Sequence, residues 1–161
     1  MALQTRGYAH RVDIRAGIDE VWRSLTEPER LSRWLASQAR VDAREGGSYW
    51  LRVDANLTRE AHIDVYLPPK RLRLIYMPVA GLPSDDAVIV DDFLLHSEPA
   101  KGDKVPAQTI VRLLGSGIPE GTAWDPVYLR LRSLWERGLL KLRASLEPGK
   151  PAASKPGAPK K

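Results

Sequence analysis

The chain contains no cysteine. That excludes disulfides, thiolate metal sites and a cysteine nucleophile together, and it makes a reducing compartment, the cytoplasm, the expected location. The first ten residues, MALQTRGYAH, show no charged-then-apolar leader pattern. No apolar run approaches the roughly 18 residues needed to span a bilayer, so a soluble protein is expected. Acids are missing from one stretch. After Glu147 the sequence reads PGKPAASKPGAPKK, with Lys150, Lys155, Lys160 and Lys161, no Asp or Glu, and nothing apolar larger than Ala or Pro. Such a segment has nothing to bury, so residues 148–161 are expected to be a disordered Pro/Ala/Lys tail behind a single domain, 1–147. The tail also holds four of the five net positive charges, leaving the body at +1. A nucleic-acid domain gathers its bases on a folded face, so nucleic acid is not an expected partner.

What is present is enough for one core: 161 residues, 43% hydrophobic and 28% charged. The strongest pattern is Thr122–Glu147, where Trp124, Tyr128, Leu131, Trp135, Leu139, Leu142 and Leu146 recur at steps of three or four and form one stripe on a helix. Thr122 can cap it, Asp125 suits its positive end, and Pro126 fits its first turn. Gly138 interrupts the helix interior, where glycine costs about 1 kcal/mol relative to alanine; either a neighbour passes close by or space is left open.

Upstream, Tyr8 to Arg15 alternates as a strand, with Tyr8, His10, Val12 and Ile14 on one face. Ile18, Val21, Trp22 and Leu25 mark a short helix, and Thr26 with Glu29 has capping-box spacing before a second one carrying Leu31, Trp34 and Leu35. From Gln38 the period becomes two. A hairpin turns at Gly46-Gly47; Ala61, Ile63, Val65 and Leu67 alternate up to Pro68-Pro69; Leu72, Leu74 and Tyr76 continue beyond it. Ala87–His96 and Gln108–Leu114 complete six strands joined mainly by short links, an antiparallel meander. The fold class is therefore α+β: a curved seven-stranded antiparallel sheet wrapped around a long C-terminal helix, with two short helices between strands 1 and 2.

Particular residues carry a resemblance. GIDEVWRSLTEPERLSRW (17–34), VDAREGGSYWLRV (41–53), IDVYLPPKRLRLIY (63–76), QTIVRLLGSGIP (108–119) and AWDPVYLRLRSLWERGLLKLRASLE follow in an order that resembles the START-like (SRPBCC) helix-grip superfamily, and within it the homologues of the heat-shock protein 90 ATPase activator. The chain departs from that family at Leu134, where glycine is usual, and at Tyr76, where tryptophan is frequent. The resemblance implies a cavity for apolar ligands between sheet and long helix. It brings no shared catalytic motif, and its members range over carriers, cyclases, hydrolases and protein-binding modules.

Candidate sites follow. His10, His62 and His96 have no metal-ligand spacing within one element, so no metal or other cofactor is expected. Ser116 lies in GSG, without the G-x-S-x-G pattern of a nucleophile elbow. Asp91 and Asp92 are adjacent, so one faces inward unless a bulge turns both outward; Asp92 is taken as the ligand-side candidate. With it, Tyr76, Tyr128, Leu131, Trp135 and Trp50 are the expected ligand contacts, and no residue is assigned a catalytic role. The reading is binding of a small hydrophobic or amphipathic molecule. Two alternatives stay open: a protein-interaction or chaperone-cofactor module meeting a protein partner or a second copy of itself, and a cyclase- or hydrolase-type enzyme using an inward acid or histidine. An enzyme needs converging polar groups in the cavity; a module needs an exposed apolar patch over a filled interior.

Overall fold

The computed structural model describes residues 4–147, so the tail expected over 148–161 lies outside the described residues. Strand β1 (Thr5–Ile14) leads into helices α1 (Ile18–Thr26) and α2 (Pro28–Trp34), then into strands β2 (Gln38–Val41), β3 (Ser48–Asp54), β4 (Leu57–Leu67), β5 (Arg71–Tyr76), β6 (Val90–Glu98) and β7 (Gln108–Pro119), and finally into α3 (Asp125–Leu146). All seven strands form one antiparallel sheet in the order β1-β7-β6-β5-β4-β3-β2. The expected meander runs from β2 to β7, and β1 closes its far side. Alternation decides the faces: Tyr8, Val12 and Ile14 on β1, Tyr49 and Leu51 on β3, Leu72, Leu74 and Tyr76 on β5, and Val111 and Leu113 on β7 are buried under the helices. Helix α3 lays Leu131, Trp135, Leu139 and Leu142 on that face, as its stripe requires. Among the described residues, no helix is long and apolar enough to cross a membrane.

Local details differ from the sequence reading for identifiable reasons. Thr122 does not cap α3; Trp124 holds the N-cap position without a side-chain hydrogen bond, and Pro126 occupies the first turn as expected. Nor does Thr26 cap α2. Its hydroxyl donates back to the carbonyl of Trp22 at 2.9 Å, and Glu27 is the N-cap. Strand β7 runs on through GSGIP because Tyr8 pairs with Gly115, Arg6 with Ile118 and Thr5 with Pro119, which also starts β1 three residues earlier than its alternation suggests. The glycines make this possible: a side chain at Gly7 would collide with the carbonyl of Gly115, and one at Gly115 would enter the ring of Tyr8.

Candidate functional site

Two short helices cannot be everywhere along a seven-stranded groove. At the C-terminal half of α3, the groove is closed by α1 and α2. Trp34 is fixed by its indole N–H donating to the carbonyl of Ser24 at 3.0 Å, and a methyl group at Gly138 would lie 3.6 Å from Trp34 and 3.7 Å from Leu35. Gly138 therefore marks a close approach of the second helix and leaves no opening. At the other half, neither short helix fills the space under α3, and an open cleft of about 450 Å³ remains. Its walls include Arg59 and Tyr76 from the sheet, Leu82 and Ile89 from the segment after β5, and Val127 and Leu131 from α3. Across its rim, Arg130 of α3 grips both carboxylate oxygens of Asp54 at 3.1 and 3.0 Å.

Between the closed half and the cleft stands a buried polar knot. Asp91 is fully buried. Its Oδ1 accepts from the Tyr8 hydroxyl at 2.6 Å, and its Oδ2 accepts from the Trp135 indole N–H at 3.0 Å and from Arg59 Nη1 at 3.3 Å. Tryptophan and arginine only donate, so a carboxylate with no proton of its own satisfies the set. Arg59 is itself 6% exposed, and its guanidinium carbon lies 3.6 Å from the centroid of the Tyr76 ring. Burial alone would pull the Arg59 guanidinium down, but Tyr76, Asp91 and Tyr8 together push it up. Burial, and then the Asp91 charge, push the Tyr8 phenol well above its usual range. The Tyr76 phenol is also pushed well above it, by burial first. Tyr76 differs from Tyr8 in one respect: its hydroxyl is buried and has no partner among the described residues. Trp135 fills the space beside Asp91 and meets Phe93 edge to face, with ring centroids 5.3 Å apart.

The six residues expected to touch ligand are thus not one cluster. Tyr76 and Leu131 line the cleft. Trp135 lies behind it, inside the knot. Tyr128 faces the other side of α3, where its hydroxyl donates to the carbonyl of Gly7 at 3.0 Å in a polar notch shared with His10, Arg132 and Glu136. Trp50 is on the outer face of β3, stacked under Arg40 at 4.1 Å, because Tyr49 and Leu51 take the inner phase. Asp92 is on the outer face too. Strand β6 pairs with β7 without a bulge from Val90 to Glu98, so Asp91 shares the inner phase of Phe93 and Leu95, while Asp92 turns out to a two-point ion pair with Arg71 at 2.8 and 3.1 Å.

The remaining candidates disperse. His62 and His96 are exposed, whereas His10 stacks on Tyr8, and no group of three metal-ligating side chains occurs among the described residues. Ser116 is an exposed residue within β7, paired with Val90, on a continuous strand where an elbow would be needed. The residues missed were Arg59 and the inward choice of Asp91. Extending the Ala61, Ile63, Val65 phase two residues back places Arg59 on the inner face, so that signal was available.

Comparisons with known proteins add the following. A protein from Mesorhizobium loti matches with a TM-score of 0.71 at 20% identity, over 86% of this chain and 95% of that one. The Aha1 dimer from Colwellia psychrerythraea matches with a TM-score of 0.70 at 22% identity, over 90% of this chain and 98% of that one. A protein of the dynemicin biosynthetic locus matches with a TM-score of 0.65 at 20% identity over 91% of this chain, which spans 49% of that longer one. At these identities the likeness is one of fold. A sequence comparison with curated proteins finds no significant match. The family model described as "Activator of Hsp90 ATPase homolog 1-like protein" matches residues 15–147.

Proposed function

Since the chain belongs to the family of Activator of Hsp90 ATPase homolog 1-like proteins, a fold that often holds apolar ligands, we propose that it binds a small hydrophobic or amphipathic molecule in the cleft between the sheet and α3, in the cytoplasm. The observation that carries this reading is the half of the groove that neither short helix fills. About 450 Å³ is within the range of small-molecule sites, and Leu82, Ile89, Val127 and Leu131 supply apolar wall to a body while Arg59 and Tyr76 supply polar groups to one end. The acid of the knot favours binding over catalysis. Asp91 lies below the cleft, and its two oxygens are already committed to three donors. The test is titration with an environment-sensitive apolar dye followed by competition with aromatic and acyl compounds, together with native mass spectrometry of freshly purified protein. Saturable dye binding with a micromolar midpoint, abolished by filling the cleft with Leu131→Trp, is the expected result. Absence of saturable binding overturns the reading.

A second reading has one observation in its favour. Around Trp135 the interior is filled, and α3 presents Leu129 and Leu140 to solvent at 57% and 51% exposure. A filled interior under exposed apolar residues suits a protein-interaction or chaperone-cofactor module, and the Colwellia relative is a dimer. Sedimentation of the purified chain distinguishes self-association from this family role, and a dye-negative result would leave the module as the better account.

A further inference from the structure

Tyr76 is the place where the cleft and the knot meet, and its hydroxyl is the one polar group of the pair that is not accounted for. The neighbouring hydroxyls and the indole N–H are all used. Tyr8 donates to Asp91, Trp135 donates to Asp91, and the phenol of Tyr49, the next buried hydroxyl on this face, donates to the carbonyl of Leu25 at 2.6 Å. Tyr76 has a ring covered by Arg59 and a buried Oη without a partner among the described residues, although the residue borders the cleft. A buried hydroxyl left unpaired costs about 1–3 kcal/mol, so a native site retains one where a partner arrives from elsewhere. Arg59 makes a single hydrogen bond to Asp91, which leaves the rest of its donors beside the same wall.

The charges at this spot decide what kind of partner fits. Arg59 is already neutralised by Asp91, and Arg130 at the rim by Asp54, while Glu60 adds a further acid to the cleft wall. A ligand carboxylate would bring a second negative charge against a buried Asp91 and lose its own hydration in doing so. A neutral carbonyl accepts the same hydrogen bonds without adding charge. Resting on the ligand-binding reading above, we propose that the cleft is specific for apolar molecules carrying a neutral carbonyl group, a ketone, ester or amide, whose oxygen accepts from the Tyr76 hydroxyl with Arg59 alongside. The irregular segment 77–89 supplies Met77, Val79 and Leu82 to the same cleft.

Three probes that share one naphthalene ring system test this by displacement of the bound dye: 2-acetylnaphthalene, 2-ethylnaphthalene and 2-naphthoate. The acetyl compound is expected to bind roughly fivefold more tightly than the ethyl compound, the worth of one net hydrogen bond, and the naphthoate more weakly than either. In Tyr76→Phe the acetyl preference disappears while ethyl affinity stays within about twofold. Melting of that variant is unchanged or slightly raised, since the lost hydroxyl had no protein partner. Equal acetyl and ethyl affinity in the unmodified chain, tightest binding by naphthoate, or an acetyl preference that survives Tyr76→Phe each overturns the inference. The two readings fail separately. If the dye itself does not bind, ligand binding has failed; if the dye binds and the acetyl compound has no advantage, or none of the probes displaces it, only the carbonyl specificity has failed.

Discussion

The groove beneath α3 has two ends made from the same sheet, and they are finished differently. Toward the C-terminus of α3, Trp34 and Leu35 press against Gly138 and the helix is sealed to its neighbours. Toward the N-terminus, Val127 and Leu131 face a cleft whose far wall is the sheet and the irregular segment after β5. A twisted sheet curls, and one helix cannot fill the whole of the resulting trough. The two short helices inserted after β1 complete the filling at one end only. The Asp91 knot stands at the boundary and acts as a partition, with open volume on one side and a packed interior on the other.

Changes at the partition should have the largest effects. Asp91→Ala leaves Arg59 buried without its counter-charge and Tyr8 and Trp135 without an acceptor, and is expected to cost about 3–5 kcal/mol in urea denaturation. A loss under about 1 kcal/mol would show that the partition does not hold the two halves together. Trp135→Phe removes the N–H to Asp91 together with part of the buried indole, so about 1–3 kcal/mol is expected, and its combination with Asp91→Ala should be less than additive in a double-mutant cycle.

The sealed end makes the opposite prediction. A methyl at Gly138 would meet Trp34, Leu35 and Trp135 at 3.6, 3.7 and 3.9 Å, ordinary contact distances. Gly138→Ala should therefore stabilise by about 0.5–1 kcal/mol, the helix-propensity gain, and raise the melting temperature without changing dye binding. A fall in melting temperature would mean that the two short helices sit closer to α3 than these distances allow. The smallest effect near neutrality is that of pH. Burial pushes the phenols of Tyr8, Tyr49 and Tyr76 up, with the Asp91 charge adding to it. The native state then keeps protons that the unfolded chain releases, so this contribution is complete below about pH 10 and is lost as pH rises beyond it. A flat melting temperature through the neutral range and a decline above about pH 10, with tyrosinate absorbance for these three residues appearing only on unfolding, is the expected record.

How far the sequence told this story depends on how many faces each strand could claim. Strand β4 alternates as expected through Ala61 and Ile63, and the helix α3 stripe is unambiguous. Beyond Ile63 an irregularity in the pairing with β5 shifts the phase, so that Tyr66 packs against Trp22 and Leu67, expected on the inner face, is exposed. Strand β6 was not legible in this way. Ile89, Phe93 and Leu95 occupy one phase and Val90 and Leu94 the other, so apolar content could not say which aspartate turned inward, and the choice was made by pairing with β7. Trp50 misled for the opposite reason. Its size suggested the interior, although Tyr49 and Leu51 on either side already claimed the inner phase and Arg40 across the strand pair covers its ring. Tyr128 belongs to the helix stripe, but the stripe is wider than the cleft, and Tyr128, three residues before Leu131 and about 60° round the helix from it, lies at the edge that meets Gly7 of β1. The GSG triplet lacks the full pattern of a catalytic turn, as its sequence shows. Here the spacing serves packing, since the ring of Tyr8 needs the room that Gly115 leaves.

The pairing of β1 with β7 sets the order in which the molecule can be assembled. Ile14 pairs with Thr109 and Thr5 with Pro119, so β1 has no sheet partner until β7 has been made. Strands β2 to β6 each meet a neighbour in sequence as soon as it emerges, whereas β1 must wait through nearly the whole chain and close a long loop when it docks. During that interval its buried edge residues Val12 and Ile14 are exposed to any passing strand. Arg11, Asp13 and Arg15, interleaved with them, supply the charge that discourages wrong pairing until β7 arrives.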